Sequence, residues 1–125
     1  MLIAAVFGAA VGYERRSSDK PAGLRTLSLV AVDSALFTII STFIFEAADQ
    51  SRVAAQIVTG VGFLGGGTIL RSEGRISGLT TSATIWATAA IGMAVGSGLY
   101  IAASGGTVLM LTILYILAPS RNSED

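Results

Sequence analysis

Long apolar stretches alternate with short polar ones along the whole chain. A bilayer-crossing helix needs roughly 20 mostly apolar residues, and several of these stretches come close to that length. We therefore predict an all-α fold, a polytopic membrane bundle of four to five transmembrane helices that forms one domain over residues 1–118. The predicted spans are residues 1–13, 25–45, 53–70, 79–96 and 101–117, with a polar cytoplasmic tail over residues 119–125.

The first predicted span is the shortest. Its 13 residues would reach only roughly 20 Å as a helix, whereas the apolar core of a bilayer is about 30 Å thick. We expect either a partial or thinned span, or additional residues ahead of Met1.

Glycine is concentrated in the span over residues 53–70. Interior glycines weaken a helix in water by about 0.5–1 kcal/mol each, but between membrane helices they allow close approach. Gly60, Gly62 and Gly65 also match the spacing of a dinucleotide-binding loop, which we reject because no strand precedes them and no βαβ unit surrounds them. The candidate helix-packing residues are Gly8, Gly12, Gly60, Gly62, Gly66, Gly92 and Gly96.

Lysine and arginine are distributed unequally between the two ends of the predicted spans. Seven of the eight fall on one side of the bilayer if all five spans cross, and only Arg52 falls on the other. Positive charge is retained in the cytoplasm, which predicts an N-terminus outside and a C-terminus inside. If the first helix fails to cross, the N-terminus lies inside and the other spans keep their orientation.

Composition excludes most catalytic chemistry. The chain is 52% hydrophobic and 13% charged, its mean hydropathy is +0.71, and it has neither cysteine nor histidine. Zinc sites and histidine-based triads are thereby excluded, and zero net charge gives no basic face for nucleic acid. Mg²⁺ usually takes one or two carboxylates, and this chain has a single intramembrane acid, Asp33. We predict no enzyme activity, no cofactor and no metal site within one copy, although an oligomer would bring several Asp33 side chains together.

Asp33 has the highest free-energy cost of insertion in the predicted spans, because a carboxylate in mid-bilayer costs about 2.5–3.5 kcal/mol or more. It should face the bundle interior or water. Two interpretations stay open. Asp33 is either a protonated or hydrogen-bonded structural acid, or a functional one that forms an ion or proton site or the counter-charge to an arginine.

Hydroxyl side chains form a second polar feature, a stripe at the start of the fourth span that we expect to pack and cap the helix, with Thr80 or Thr81 as the cap. A polar pocket with Arg71 or Arg75 is the alternative. The charged first loop is expected to contact anionic lipid, or else a partner. The stripe consists of Ser77, Thr80, Thr81, Thr84 and Thr88, and the loop cluster of Glu14, Arg15, Lys20 and Arg25.

Several ordered motifs resemble the membrane domain of the MgtC/SapB family: GYER at residues 12–15, KPAGLRT at 20–26, QIVTGVGFLGGG at 56–67, GLTTSA at 78–83, and Trp86. The resemblance runs from about Gly8 to Leu99 and implies a bacterial inner-membrane protein linked to magnesium homeostasis, and in pathogens to virulence inside macrophages. MgtC itself is associated with restraint of the F-type ATP synthase rather than with carrying Mg²⁺. The resemblance places Glu14, Arg25, Gln56, Arg71, Thr80 and Thr81 on the family's polar motif positions, and Asp33 joins them as a candidate because of its location.

One departure from the family pattern affects function. MgtC has a C-terminal cytoplasmic domain, whereas this sequence stops about eight residues after its last predicted span. Our leading hypothesis is a non-enzymatic membrane protein that acts through helix contacts with a membrane partner (the F-type ATP synthase, by resemblance) or with itself as a homo-oligomer. The alternative is a small transporter or channel subunit that uses Asp33 and the hydroxyl-lined helices. A third possibility is a structural fragment of a longer gene product.

Overall fold

The computed structural model describes residues 1–44 and 47–118, which form five α-helices and one β-hairpin. The prediction of an all-α fold is therefore confirmed, with the hairpin as an addition. Phe45, Glu46 and the predicted tail over residues 119–125 lie outside the described residues. The elements are α1 (Leu2–Ser17), α2 (Leu24–Ile44), α3 (Ala47–Gly66), β1 (Leu70–Ser72), β2 (Arg75–Ser77), α4 (Leu79–Gly96) and α5 (Tyr100–Ile116).

Helix α1 packs antiparallel against α2 through glycine. A Cβ atom added to Gly8 would lie 2.5 Å from the carbonyl oxygen of Leu27, and one added to Gly12 would lie 2.5 Å from Cα of Leu24. Since both distances are far below van der Waals contact, only glycine permits this separation of the two backbones.

Helix α4 packs against α2 in the same manner but parallel to it. A Cβ atom on Gly92 would overlap the carbonyl oxygen of Ala31, and one on Gly96 would lie 2.6 Å from the carbonyl oxygen of Ala35. Small residues on both helices let the backbones meet, so α2 packs closely against both α1 and α4.

The end of α3 meets the start of α4, because a Cβ atom on Gly65 would lie 2.8 Å from Oγ of Ser82. The first four helices therefore alternate in direction. This alternation brings the end of α1, the start of α2 and the hairpin to the same end of the bundle. We call it the basic end because it carries Arg15, Arg16, Lys20, Arg25, Arg71 and Arg75.

Hydroxyl groups and one arginine lie inside the bundle among apolar residues, while many large apolar side chains lie outside. Among the described residues, seven polar or charged ones are buried, and most of the buried apolar residues are alanine or valine. By contrast, Phe43, Phe63 and Ile101 are 83%, 84% and 92% exposed. An apolar exterior of this extent marks a surface that water does not solvate. The buried polar residues are Arg15, Ser34, Ser41, Thr81, Thr84, Thr88 and Thr107.

By length and composition, α2 and α4 can each cross a bilayer, and α5 is a shorter apolar helix. The full count of four to five spans stays a prediction.

Two polar segments predicted as turns are partly helical. Helix α1 continues through Glu14, Arg15 and Arg16 to Ser17, and the chain then turns at Asp19, whose φ is 54°. The turn predicted over residues 46–52 is helical from Ala47 onward. In both places apolar periodicity alone underestimated the helix, because polar residues at helix ends can point to solvent or into the bundle.

The glycine-rich helix ends at Gly66, before the predicted limit near Leu70. Thr68 donates a hydrogen bond from Oγ1 to the carbonyl oxygen of Gly65 at 2.8 Å, which satisfies one of the free carbonyls at the helix end. The segment predicted as a plain polar turn is the hairpin. Its two-residue loop, Glu73 and Gly74, has φ values of 47° and 82°, as the tight hairpin turn of type I′ requires.

Candidate functional site

A long groove of about 940 Å³ separates α2 from α3. Each helix contributes seven residues at the spacing i, i+1, i+4, i+5, i+8, i+9 and i+12, which is one continuous stripe along a helix. The lining residues are Arg25, Thr26, Leu29, Val30, Asp33, Ser34 and Phe37 from α2, and Arg52, Val53, Gln56, Ile57, Gly60, Val61 and Leu64 from α3.

The groove has an arginine near each end. Arg25 begins the α2 stripe and Arg52 begins the α3 stripe, and the two helices run in opposite directions. Twelve residues of helix rise by about 18 Å, so the two guanidinium groups belong to opposite ends of a groove of about that length. Together with Asp33, they give the lining a formal charge of +1.

Asp33 lies part of the way along the groove and is exposed to it. It follows Arg25 by eight residues, which is about 12 Å along the axis of α2, and Gln56 of α3 lies at the same height in the groove. No side chain in residues 1–44 or 51–118 forms a recorded hydrogen bond or ion pair with its carboxylate. Between Asp33 and the Arg25 end the lining is apolar, with Leu29, Val61 and Leu64.

Four of the predicted candidates thus line one groove, Arg25, Asp33, Gln56 and Gly60. Glu14 and Thr81 belong to a second cluster, between α1 and α4 at the basic end. Arg71 and Thr80 are exposed and belong to neither.

The second cluster is centred on Arg15, which is only 4% exposed. Its Nη2 donates a hydrogen bond to Oγ1 of Thr81 at 3.2 Å, and its Nη1 lies 3.9 Å from a carboxylate oxygen of Glu14. Glu14 also accepts a hydrogen bond from the Ser18 hydroxyl at 3.0 Å. Such a buried cation is tolerated only where nearby acceptors and charges replace water, so this cluster ties α1 to α4.

The capping prediction for the hydroxyl stripe is wrong. Helix α4 starts after Gly78, and no side chain caps it by a hydrogen bond, so neither Thr80 nor Thr81 is the cap. Gly78 has a φ of 85°, and a Cβ atom there would overlap the carbonyl oxygen of Thr68, so this close approach fixes the start of the helix. Arg15 donates a hydrogen bond to the stripe at Thr81, and Arg71 and Arg75 lie exposed on the hairpin.

Arg15 is the site residue that the prediction placed in the wrong environment, in a loop beside lipid. Its position carried a usable signal, because Gly8, Val11, Gly12 and Arg15 fall at i, i+3, i+4 and i+7 on one face of a helix. All four are buried.

The seven candidate packing glycines divide into two groups. Gly8, Gly12, Gly92 and Gly96 touch α2, as described above. Nothing lies within 4 Å of a Cβ atom placed on Gly60, Gly62 or Gly66, all three in α3. Gly60 lines the groove, whereas Gly62 and Gly66 are exposed outside it, and a role for the three glycines in packing stays a prediction.

Gly62 and Gly66 belong to a flat face of α3 that points away from the groove. Ala55, Thr59, Gly62 and Gly66 fall at i, i+4, i+7 and i+11 and are all exposed. Thr59 donates its hydroxyl proton to the carbonyl oxygen of Ala55 at 3.1 Å, so its donor is already satisfied within the helix. We call these four residues the small-residue face.

Metal ligands are sparse in both clusters. Over the described residues, no three of Asp, Glu, His and Cys lie close enough together to hold a metal ion.

A helical bundle with an apolar exterior, buried hydroxyl groups and a basic end is the architecture of a small helical membrane protein. The chain belongs to the MgtC family, whose model matches residues 1–123.

Three relatives show how much of the family the chain covers. YhiD of Escherichia coli (strain K12), which is named as a proposed magnesium transporter, is 47% identical over 124 residues, 93% of this chain and 58% of that protein. Protein slr0014 of Synechocystis is 41% identical over 119 residues, 95% of this chain and 51% of its own length. Protein MgtC of Brucella abortus (strain 2308) is 41% identical over 114 residues, 91% of this chain and 48% of that protein.

The chain therefore spans about half the length of the relatives it matches. No solved structure matches it significantly.

Proposed function

We propose that this chain is the membrane part of a non-enzymatic protein of the bacterial inner membrane that supports magnesium homeostasis by binding a helix of a membrane partner. The magnesium role follows from the family and from the name given to YhiD. In pathogens the same role extends to virulence. The partner helix lies against the small-residue face of α3.

The contrast between the two groups of glycines carries this proposal. In α1 and α4 each candidate glycine is used to bring a backbone against α2, whereas nothing lies within 4 Å of the Cβ positions of Gly62 and Gly66 on the small-residue face of α3. A helix of glycine and alanine without a partner in lipid gives up the van der Waals contacts that drive association of membrane helices. An external helix restores those contacts.

A photocrosslinking amino acid at Thr59 tests this proposal, because this residue lies exposed within the small-residue face. In native membranes we expect a crosslinked product that Gly62→Leu abolishes, because the added side chain holds the partner backbone away. A deletion strain that is complemented with the Gly62→Leu variant should also grow poorly at low Mg²⁺. The partner suggested by the family is the F-type ATP synthase, so ATP synthase activity in the same membranes is the accompanying measurement.

Gly105→Leu is the matched control. Gly105 is also a helical glycine with nothing within 4 Å of its Cβ position, but it lies in α5. This variant should crosslink and grow as the unmodified protein does. If Gly62→Leu behaves like Gly105→Leu, the small-residue face binds no partner, and a crosslinked product of two copies of the chain would identify a homo-oligomer instead.

Transport through the groove is the second candidate function, favoured by Asp33 and Gln56 at one level of a wide groove and by the name of YhiD. The formal charge of +1 in the lining argues against a cation path, since the two arginines outnumber the carboxylate. Flux of Mg²⁺ into proteoliposomes that is lost in Asp33→Asn would favour transport over partner binding.

A further inference from the structure

We propose that the groove between α2 and α3 binds one anionic phospholipid, with the phosphate at Arg25 and Thr26 and an acyl chain along the apolar stretch toward Asp33. This site lies on the opposite side of α3 from the small-residue face. Lipid binding in the groove therefore does not depend on whether a partner helix binds that face.

The shape of the groove suits a thin, flexible occupant. It lies between two neighbouring helices, and its volume of about 940 Å³ extends over a length of about 18 Å. An acyl chain is unbranched and follows such a groove along its length.

The length of the apolar stretch matches one leaflet. Asp33 and Gln56 lie about 12 Å from the Arg25 level, and one leaflet of the apolar bilayer core is about 15 Å deep, half of about 30 Å. The acyl chain of a lipid whose headgroup lies at Arg25 therefore ends near Asp33 and Gln56, which we call the polar pair. On the way it passes Leu29, Gly60, Val61 and Leu64. The polar pair closes the apolar stretch, and Gly60 keeps it open because nothing occupies its Cβ position.

Charge determines which lipid headgroup binds. Arg25 lies in the first turn of α2 at the basic end, next to the hydroxyl of Thr26, and both line the groove. A guanidinium group forms paired hydrogen bonds with phosphate oxygens. A lipid with net negative charge is favoured over a zwitterionic one, whose amine would meet the positive charge of Arg25.

The test uses the full chain in nanodiscs that contain phosphatidylglycerol and phosphatidylcholine in equal amounts. Native mass spectrometry should show one retained phosphatidylglycerol per chain. We expect about a fivefold loss of retention in Arg25→Gln, from about 1 kcal/mol for one basic group at the membrane surface. Gly60→Leu should abolish retention, because its side chain fills the apolar stretch.

Two matched controls are available. Arg75→Gln removes a basic residue on the hairpin, outside the groove lining, and Gly62→Leu adds the same side chain to the opposite face of α3. Both should retain phosphatidylglycerol. Equal retention of the two lipids, or unchanged retention in Gly60→Leu, would overturn the proposal.

A measurement on the unmodified chain does not depend on how the variants fold. Phosphatidylglycerol with a photoreactive group in its acyl chain should label Leu29, Val61 or Leu64. Labelling confined to α5, whose outer surface is exposed, would show only general bilayer contact and would contradict a bound chain in the groove.

Discussion

Arg15 carries a permanent charge at a position that is 4% exposed, and the residues around it explain how the bundle accommodates it. The Thr81 hydroxyl accepts one of its hydrogen bonds, and Glu14 supplies the opposing charge. A buried charge is costly when one partner is removed, whereas the intact cluster contributes little net stability. The cluster therefore fixes where α1 and α4 meet, because other registers of these helices leave Arg15 without this hydroxyl.

Thr81→Val should destabilise the protein by about 1–3 kcal/mol, because it leaves an Arg15 donor without its acceptor while it preserves the volume of the side chain. Thermal unfolding in detergent, followed by circular dichroism, measures this change. Thr80→Val is the control, since Thr80 is exposed, and it should stay within about 0.5 kcal/mol of the unmodified protein. Equal stability of the two variants would show that the Arg15 hydrogen bond adds nothing.

At the scale of elements, the sequence predicted which segments are apolar helices better than where they end. Helices α2 and α4 match the predicted spans closely, since long uninterrupted apolar runs favour helix in lipid. The hairpin was not predicted, because its strands are three residues each and arginine and serine mask the signal of the turn. The groove was not predicted either. It needs residues on two helices that are 15 (Phe37 and Arg52) to 39 (Arg25 and Leu64) positions apart, and a pattern along one helix does not give the rotation of its neighbour.

The sequence also does not show which glycines pack against another helix. Only the arrangement of the helices distinguishes the glycines that touch α2 from those that face outward. Gly92→Ala should destabilise the bundle by about 1–3 kcal/mol or more, because the methyl group overlaps the Ala31 carbonyl oxygen and forces α4 away from α2. Unfolding in denaturing detergent measures this loss.

Gly105→Ala is the paired variant, since it adds the same methyl group in α5 where nothing lies within 4 Å. It should be neutral or stabilising by up to about 1 kcal/mol, because alanine favours the helix over glycine. Destabilisation of both variants by the same amount would mean that glycine flexibility, rather than close contact with α2, determines the effect.

For the whole molecule, the alternation of helix direction and the location of the arginines support one orientation. The end of α1, the start of α2 and the hairpin share the basic end, while the turn between α4 and α5, at Ser97, lies at the other end. If positive charge is retained in the cytoplasm, the basic end faces inward. The chain has no cysteine, so single cysteines report the side of the membrane without background.

Ser72→Cys on the hairpin should react with a membrane-impermeant maleimide only in inverted vesicles, and Ser97→Cys only in intact spheroplasts. Both serines are exposed. Leu2→Cys then determines the number of spans, because its reaction from the outside means that α1 crosses, and its reaction from the inside means that α1 does not cross. Reaction of Ser72→Cys and Ser97→Cys from the same side would contradict a crossing by α4. Reaction of Ser72→Cys from the outside would instead invert the orientation and place the Arg25 end of the groove in the outer leaflet.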